Sequence, residues 1–353
     1  MSIAVILLIF AIIITTVLIP DKMKKTCFLI LTLFFAINSL AQAEPTKTAQ
    51  SKSDPSLTES PVSLKTLSGT ISGTLTTPAT INGKIPVVLI IPGSGPVDRD
   101  GNSAKTNLNA NTYKLIAEAL GKDGIASLRY DKRMVGQSAT GQKEENLRFE
   151  DYVDDALGMI GLLKDDKRFS KIIVLGHSEG SLVGILATNS SEGKVNAFIS
   201  VEGAGRRADE IMKEQMKSQP SYVSDSFKKV LDSLIIGKIQ PKVDASLYAI
   251  ARPAMQNYLM SWFRYDPSQE IKNLKVPVLI VQGTTDLQVT VIDGEKLKKA
   301  RSAFSYLPVR GMNYVLRDAP ADKDKNMATY TQPELPLKPE FVSGVLDFIH
   351  GLK

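Results

Sequence analysis

Segments that predict buried strands alternate with segments that predict helices along most of the chain. Apolar runs such as IPVVLII, KIIVL and VPVLIV have the composition of strands covered on both faces of a sheet. Between them, TYKLIAEAL and FEDYVDDALGMIGLL carry apolar residues at helical spacing. Strands joined through helices require a mostly parallel sheet with helices on both sides. The predicted fold class is therefore α/β, and 353 residues can bury the core of one large or two smaller domains.

The alternation is interrupted once. Residues 205 to about 270 contain no strong strand signal and predict helices, after which the strand and helix pattern resumes with VPVLIVQGTTD. A helical insertion at this place predicts a cap over the carboxyl edge of the sheet, where such sheets bind ligands. Its methionines and aromatic residues predict simple packing or the lining of an apolar acyl pocket.

The first 43 residues differ from the rest of the chain. From Met23, MKKTCFLILTLFFAINSLAQA has the layout of a secretory signal peptide over 23–43, so residues 1–22 are predicted to be an upstream extension. The alternative is a membrane anchor, or a two-helix hairpin with its three lysines in a cytoplasmic turn. Export to the periplasm or secretion is expected, and the only cysteine, Cys27, lies inside the leader. Residues 44–64 predict a flexible linker before a domain at 65–353.

Composition excludes two classes of function. The net charge of +6 is spread thinly, with no run of basic residues and no aromatic residues set among them, which argues against nucleic-acid binding. No cluster of His, Cys, Asp or Glu has metal-ligand spacing, and no phosphate-loop ending follows a glycine-rich segment. We therefore expect neither a metal nor another cofactor.

The sharpest motif is Gly176-His177-Ser178-Glu179-Gly180, a G-x-S-x-G pattern between a predicted strand and a predicted helix. A tight turn of this kind holds the serine out at its tip, while the glycines let neighbouring elements approach closely. Ser178 is the predicted nucleophile. The N–H of Glu179, at the start of the helix, is a predicted oxyanion donor.

A second glycine-rich loop, PGSGP at 92–96, follows the strand VVLII. A loop at this position can offer a backbone N–H, and that of Ser94 is the predicted second oxyanion donor. The charged residues that follow, Asp98, Arg99 and Asp100, predict local salt bridges and turns in preference to substrate contacts.

The ordered motifs PGSGPVDRDGN, RYDKRMVGQS, GHSEG, QGTTDLQV and GMNY resemble the α/β-hydrolase superfamily over residues 65–353. Within it they are similar to secreted bacterial esterase-like members and to the group of serine aminopeptidases and monoacylglycerol lipases. The resemblance implies an eight-stranded, mostly parallel sheet with a helical cap. It also implies acyl transfer from a small-molecule ester to water.

Position by position, the resemblance assigns Ser178 as nucleophile and Asp286 as the acid that orients the base. The family's histidine commonly stands in an Asn-His pair after the last strand, and that pair reads Asn313-Tyr314 here. A second departure is Met134, where the similar pattern has glycine. Tyr314 therefore occupies the position of the catalytic base.

The two histidines of the chain do not supply a replacement. His177 precedes the nucleophile and should point away from it, and His350 near the chain end predicts a surface residue. A phenol has an ordinary pKa of about 10, against about 6.5 for imidazole, so Tyr314 is a poor proton acceptor at neutral pH.

These features predict a serine hydrolase of the carboxylic-ester class with impaired turnover. Two alternatives remain open. One is a ligand-binding protein without catalysis that uses the same pocket, and the other is a peptidase or acyltransferase on the same scaffold.

Overall fold

The computed structural model describes residues 54–138 and 140–353. The predicted leader, the predicted upstream extension and Cys27 lie outside the described residues. Within the described part, no helix combines the length and the hydropathy that a membrane crossing needs.

Eight strands form the main sheet. They are β1 (Leu57–Thr66), β2 (Gly69–Pro78), β3 (Ile85–Ile91), β4 (Ala126–Tyr130), β5 (Phe169–His177), β6 (Ala197–Val201), β7 (Val278–Gly283) and β8 (Ser305–Val309). Their spatial order is β1-β2-β4-β3-β5-β6-β7-β8. The six strands β3 to β8 are parallel to one another. Strand β2 pairs antiparallel with both of its neighbours, β1 and β4. The predicted mostly parallel eight-stranded α/β sheet is confirmed.

Eleven helices accompany the sheet in the described residues. They are α1 (Thr112–Lys122), α2 (Phe149–Asp165), α3 (Glu179–Ser190), α4 (Ala208–Gln215), α5 (Ser221–Ile235), α6 (Tyr248–Ala251), α7 (Pro253–Trp262), α8 (Pro267–Glu270), α9 (Val291–Lys299), α10 (Lys323–Ala328) and α11 (Pro339–His350).

Both faces of the sheet are buried, and β3 shows why its sequence is apolar throughout. Val87, Leu89 and Ile91 point into the core on the side of α2 and α3. Val88 and Ile90 point into the second core, on the side of α1 and α11. Because strand side chains alternate between faces, a strand with two buried faces needs an unbroken apolar run.

The predicted flexible linker at 44–64 is wrong from Leu57 onward, because residues 57–66 form β1. This strand lies at the edge of the sheet and is only half-buried, so Ser, Thr and Glu side chains alternate with apolar ones. Pro61 is tolerated because an edge strand has one side without hydrogen-bonding neighbours. Strand β1 pairs with β2 as an antiparallel hairpin at this edge of the sheet.

Between β6 and β7 the chain forms the helices α4 to α8. The ring of Phe149, the first residue of α2, stacks on that of Trp262 with 5.8 Å between centroids. The Phe149 N–H also donates to Ser261 Oγ at 2.8 Å. Since α2 follows the loop at the carboxyl end of β4, these contacts tie α7 to the carboxyl edge of the sheet.

Candidate active site

Ser178 lies in a sharp turn between β5 and α3. Its backbone has φ 54° and ψ −120°, a conformation rarely adopted by a residue with a side chain. A Cβ atom on Gly180 would lie 2.5 Å from Pro92 O, and one on Gly176 would lie 2.6 Å from the carbonyl carbon of Gly180. Only glycine therefore fits on either side of the turn, and Ser178 is held half-exposed at its tip.

The loop after β3 lies against this turn. A methyl group on Gly93 would lie 3.3 Å from Ser178 Cβ. The Gly93 N–H donates to Tyr113 Oη at 2.8 Å, so it is not available to a ligand. Within residues 54–138 and 140–353, the N–H groups of Ser94 and Glu179 have no protein acceptor. The Ser94 N–H thus belongs to the loop after β3, and the Glu179 N–H belongs to the first residue of α3, directly after Ser178.

His177 has both ring nitrogens engaged away from Ser178. Nδ1 lies 2.9 Å from Tyr113 Oη, and Nε2 lies 2.9 Å from the main-chain oxygen of Tyr314. Tyr113 Oη already accepts from Gly93 N–H, so its own proton points at Nδ1, and Nε2 carries the proton that reaches Tyr314 O. Burial lowers the pKa of His177 to about 4, which keeps the ring neutral. His177 therefore cannot accept the serine proton.

The second histidine is at the surface. His350 ends α11, and its Nε2 lies 2.8 Å from Asp123 Oδ2. Its side chain is 57% exposed, in agreement with the predicted surface position.

Tyr314 lies in the loop after β8, and its side chain is buried beside Ser178. A methyl group on Gly93, the same one that would approach Ser178 Cβ, would lie 3.0 Å from Tyr314 Oη. The Tyr314 ring lies 4.6 Å from that of His177 and is stacked on Tyr330 at 6.2 Å. Burial raises the pKa of Tyr314 above that of an ordinary phenol. Hydrogen bonding with Ser178 offsets this only in part, and the Asp286 charge adds to it. The hydroxyl therefore stays protonated.

The loop that carries Tyr314 is held by buried polar contacts. Asn313 Nδ2 donates to Asn326 Oδ1 at 3.1 Å and to Thr329 Oγ1 at 2.8 Å. Its Oδ1 accepts the Arg317 N–H at 3.0 Å. Asn313 is fully buried, so it fixes the shape of the loop without contributing to chemistry.

Asp286 follows β7 and is buried. Its Oδ1 accepts the N–H groups of Gln288 at 2.6 Å and Val289 at 3.1 Å. Its Oδ2 has no N–H or hydroxyl donor in the described residues. No imidazole is present to use this oxygen, and the carboxyl group of Glu202 is its neighbour.

Glu202, at the end of β6, forms a buried carboxyl pair with Asp286. Glu202 accepts the Gly283 N–H at 2.8 Å and the side-chain amide of Gln282. Burial raises the pKa of Asp286 to about 6, and burial together with the Asp286 charge raises that of Glu202 well above its usual range. At neutral pH the pair therefore shares one proton. The sequence analysis missed Glu202, although β6 and β7 are neighbours whose carboxyl ends meet.

The charged loop after PGSGP forms local contacts, as predicted. Arg99 pairs with Asp131 at 2.7 Å. Asp98 accepts the N–H groups of Asp100 and Asn102, both at 2.9 Å, which closes a turn. Asp100 pairs with Arg129 at 3.0 Å. These carboxylates have structural partners. No group of His, Cys, Asp and Glu in the described residues has the arrangement of a metal site.

Met134, the other departure from the family pattern, has a φ of 62°. This is the left-handed region that favours glycine, which explains why the similar pattern has glycine at this place. The methionine side chain is 41% exposed, so it gains little packing in return.

Comparison with known proteins agrees with this geometry. Residues 106–249 match the family model described as serine aminopeptidase S33. The esterase EstD of Thermotoga maritima is 29% identical over 221 residues, which cover 61% of this chain and 50% of that protein. The chain thus matches about half the length of this curated relative. The order of the sheet and the turn at Ser178 are similar to those of the proteins that it matches.

The chain has the α/β-hydrolase fold.

Two solved α/β-hydrolase structures show how far the fold is shared. Est1E from Butyrivibrio proteoclasticus, bound to ferulic acid, has a TM-score of 0.56 at 18% identity, covering 82% of this chain and 99% of that chain. The α/β hydrolase GrgF from Penicillium sp. sh18 has a TM-score of 0.56 at 15% identity, covering 84% and 99%. At these identities the likeness of this chain to them concerns the fold alone.

Proposed function

We propose that this α/β hydrolase acylates Ser178 with carboxylic esters and turns over slowly. The observation that carries the proposal is the position of Tyr314. Its hydroxyl, with a raised pKa, faces Ser178 where the family has an imidazole, and Asp286 Oδ2 nearby is left without a donor. On this proposal Ser178 is the nucleophile and Asp286 the acid, and no imidazole stands between them to accept the proton.

The consequence for the reaction concerns the serine proton. When Ser178 Oγ attacks an ester carbonyl, the carbonyl oxygen becomes an oxyanion and the hydroxyl proton must leave. Without an imidazole, water or the departing alkoxide has to take that proton. We therefore expect reaction only with esters whose leaving group is a good one, such as a phenolate. Loss of a triad histidine costs about a million-fold in kcat, and about a thousand-fold over water remains from binding and the oxyanion hole.

The relatives support an ester as the substrate class. EstD is named an esterase, and at 29% identity it resembles this chain more strongly than the structural neighbours given above. The family model carries the name of an aminopeptidase, which keeps a peptide or aminoacyl substrate as the alternative on the same scaffold. A panel of short-chain esters, thioesters and aminoacyl amides separates these substrates by their relative kcat/KM.

The decisive experiment is the variant Tyr314→His. An imidazole there would have Ser178 on one side and Asp286, whose Oδ2 has no N–H donor, on the other. We therefore expect kcat for 4-nitrophenyl acetate to rise about a thousand-fold or more. Steady-state kinetics on the purified proteins measures this. Tyr314→Phe is the matched control, because it removes the hydroxyl without supplying a base, and its rate should stay near that of wild type.

Two results would contradict the proposal. One is a wild-type kcat of tens per second. The other is a Tyr314→His protein that gains no activity although it folds like wild type by circular dichroism. Adding Ser178→Ala to Tyr314→His must abolish the gain, since otherwise the new activity does not pass through Ser178.

A non-catalytic binding function is the second candidate, and the buried phenol beside Ser178 is the observation that favours it. Labelling of Ser178 by a fluorophosphonate distinguishes the two. Slow stoichiometric modification of wild type, located by peptide mass spectrometry, supports the acylation proposal. No modification under conditions that label Tyr314→His supports the binding function.

We further propose that the protein is exported with cleavage after Ala43, on the layout of residues 23–43. The intact mass of the protein expressed with its native N-terminus tests this. A mature chain beginning at Glu44 is expected, and an uncleaved chain contradicts export by this route.

A further inference from the structure

Lys132 is a buried cation with three partners around it. It follows β4, and its Nζ lies 3.0 Å from the main-chain oxygen of Gly93 and 3.0 Å from Glu179 Oε1. The same atom lies 4.2 Å above the centre of the Tyr152 ring, on α2. The side chains of Lys132 and Glu179 are 5% and 2% exposed. Two oxygens and one aromatic face thus surround the ammonium group.

Stability alone is a poor reason for such a pair. Taking both charges out of water costs about as much as their attraction returns, and well-packed apolar residues often replace a buried ion pair without loss. What the pair does provide is fixed geometry, since Lys132 joins the loop after β3 to the turn that carries Ser178.

The contact with Gly93 sets the orientation of one peptide group. The Gly93 C=O and the Ser94 N–H belong to the same peptide unit, and no cis peptide occurs among the described residues. In a trans peptide these two groups point in opposite directions. Because Lys132 holds the carbonyl, the Ser94 N–H must point away from Lys132. A carbonyl that accepts from a cation also polarises its own peptide, which makes the N–H a stronger donor.

The other end of Gly93 is fixed as well. Its N–H donates to Tyr113 Oη, which holds the preceding peptide in place. A rotation of the Gly93–Ser94 peptide would therefore have to break the contact between Gly93 O and Lys132. The second partner of Lys132 is Glu179, whose N–H is the other predicted oxyanion donor. The Lys132 ammonium group therefore contacts Gly93, whose peptide unit contains the Ser94 N–H, and also Glu179, which supplies the second N–H.

We infer that Lys132 is a positioning residue of the oxyanion hole. Its ammonium group holds the Gly93–Ser94 peptide and Glu179 so that both N–H groups can receive the oxyanion formed when Ser178 attacks. Donors that are oriented in advance need no rearrangement during the reaction, which is the source of their effect on rate. The inference rests on the proposed acylation of Ser178, which it deepens.

The chain supplies a matched control in the next residue. Arg133 is also buried, and it pairs with Asp155 at 2.7 Å with side chains 6% and 0% exposed. Its remaining side-chain contacts are Ser68, Gln142 and Asp151, and none of these lies in the loops around Ser178. Lys132→Met and Arg133→Met therefore each leave one buried carboxylate unpaired, but only the first should affect the oxyanion hole.

The first measurement is a crystal structure of each variant. In Lys132→Met we expect the Gly93–Ser94 peptide to be rotated or to occupy two orientations, whereas Arg133→Met should keep it as described. If Lys132→Met does not fold, the double variant Lys132→Met/Glu179→Leu replaces the whole ion pair by apolar residues and still removes the ammonium group from Gly93 O. An unchanged peptide in the Lys132 variants overturns the inference, whatever their rates.

The second measurement is made on variants that also carry Tyr314→His. We expect Lys132→Met to lower kcat for 4-nitrophenyl acetate ten- to a hundred-fold, with KM changed by less than about twofold, since removal of one oxyanion donor costs about 10²- to 10³-fold. Arg133→Met should keep kcat within about twofold. Equal kcat values in an active Tyr314→His background overturn the inference. If Tyr314→His itself is inactive, the proposed function fails, and the crystal structures alone decide the role of Lys132.

Discussion

Two loops meet at the Ser178 hydroxyl, the turn between β5 and α3 and the loop after β8, and both contain strained backbone. In the first loop the strain is at Ser178 itself, with φ 54°. In the second loop it lies at Leu316, with φ 63°, two residues after Tyr314. Ser178 is thus itself a strained residue, whereas the strain in the second loop lies outside Tyr314. A substitution at 314 can change the chemistry while the loop keeps its shape.

The sharpest test of the first loop is Gly180→Ala. The new methyl group would lie 2.5 Å from Pro92 O and also against Ile91 O, both of them backbone atoms that cannot move aside. We expect a loss of about 3 kcal/mol or more in the free energy of unfolding, measured with urea. Gly161→Ala, inside α2 and with no atom within 4 Å of the new methyl, should instead gain about 0.5–1 kcal/mol. Equal effects of the two substitutions would mean that the turn at Ser178 is not tightly packed.

The second loop is tested through its buried amide with Asn313→Ala. The substitution leaves the Arg317 N–H without its acceptor and removes the donor to Thr329 Oγ1 in a buried place, so we expect a loss of about 2–3 kcal/mol by the same measurement. Asn189→Ala, which removes an exposed side-chain contact with Glu270, should stay within about 0.5 kcal/mol of wild type. A small effect at Asn313 would show that the loop does not depend on its polar anchor.

His177 joins the two loops, and its titration reports on their contact. Its pKa of about 4 in the folded chain is below the ordinary value, so its stabilising effect is complete above pH 6.5 and is lost as the pH falls toward 4. Between pH 7.5 and pH 5, wild type should therefore lose about 2 kcal/mol more than His177→Gln. Urea unfolding of both proteins at the two pH values measures the difference.

The comparison between the two proteins isolates His177. Asp286 and Asp155, whose pKa values burial raises to about 6, act in the opposite direction, and they are present in both proteins. A variant with the same pH dependence as wild type would mean that folding does not lower the pKa of His177.

Met134→Gly has the smallest expected effect. It tests whether backbone strain outside both loops also lowers the free energy of unfolding. Relief of the left-handed backbone is partly offset by the greater freedom of glycine in the unfolded chain, so we expect a gain of about 0.5–1 kcal/mol in the thermal unfolding free energy. Met327→Gly, at a similarly exposed position inside α10, should lose a similar amount. The opposite sign of the two effects is the result to look for.

Local sequence patterns were sufficient for the parts of the molecule that depend on neighbours along the chain. Unbroken apolar runs predicted the strands of the parallel sheet, and the glycines around Ser178 predicted the turn. The edge strand β1 was missed because a half-buried strand with Ser, Thr and Pro has the composition of a linker.

The contacts that tune the site join distant residues. Tyr113 was predicted only as part of an amphipathic helix, yet its hydroxyl links Gly93 to His177, 20 and 64 positions away. The Glu202–Asp286 pair and the partners of Lys132 likewise depend on which strands become neighbours, and no local periodicity contains that information.

The link between Tyr314 and His177 passes through the main-chain oxygen of residue 314, an atom that every amino acid provides. Codons for tyrosine and histidine differ at a single base. A gene for this chain is therefore one point mutation from encoding an imidazole at position 314, with this main-chain contact kept. Growth on an ester as the only carbon source should select that mutation in one step.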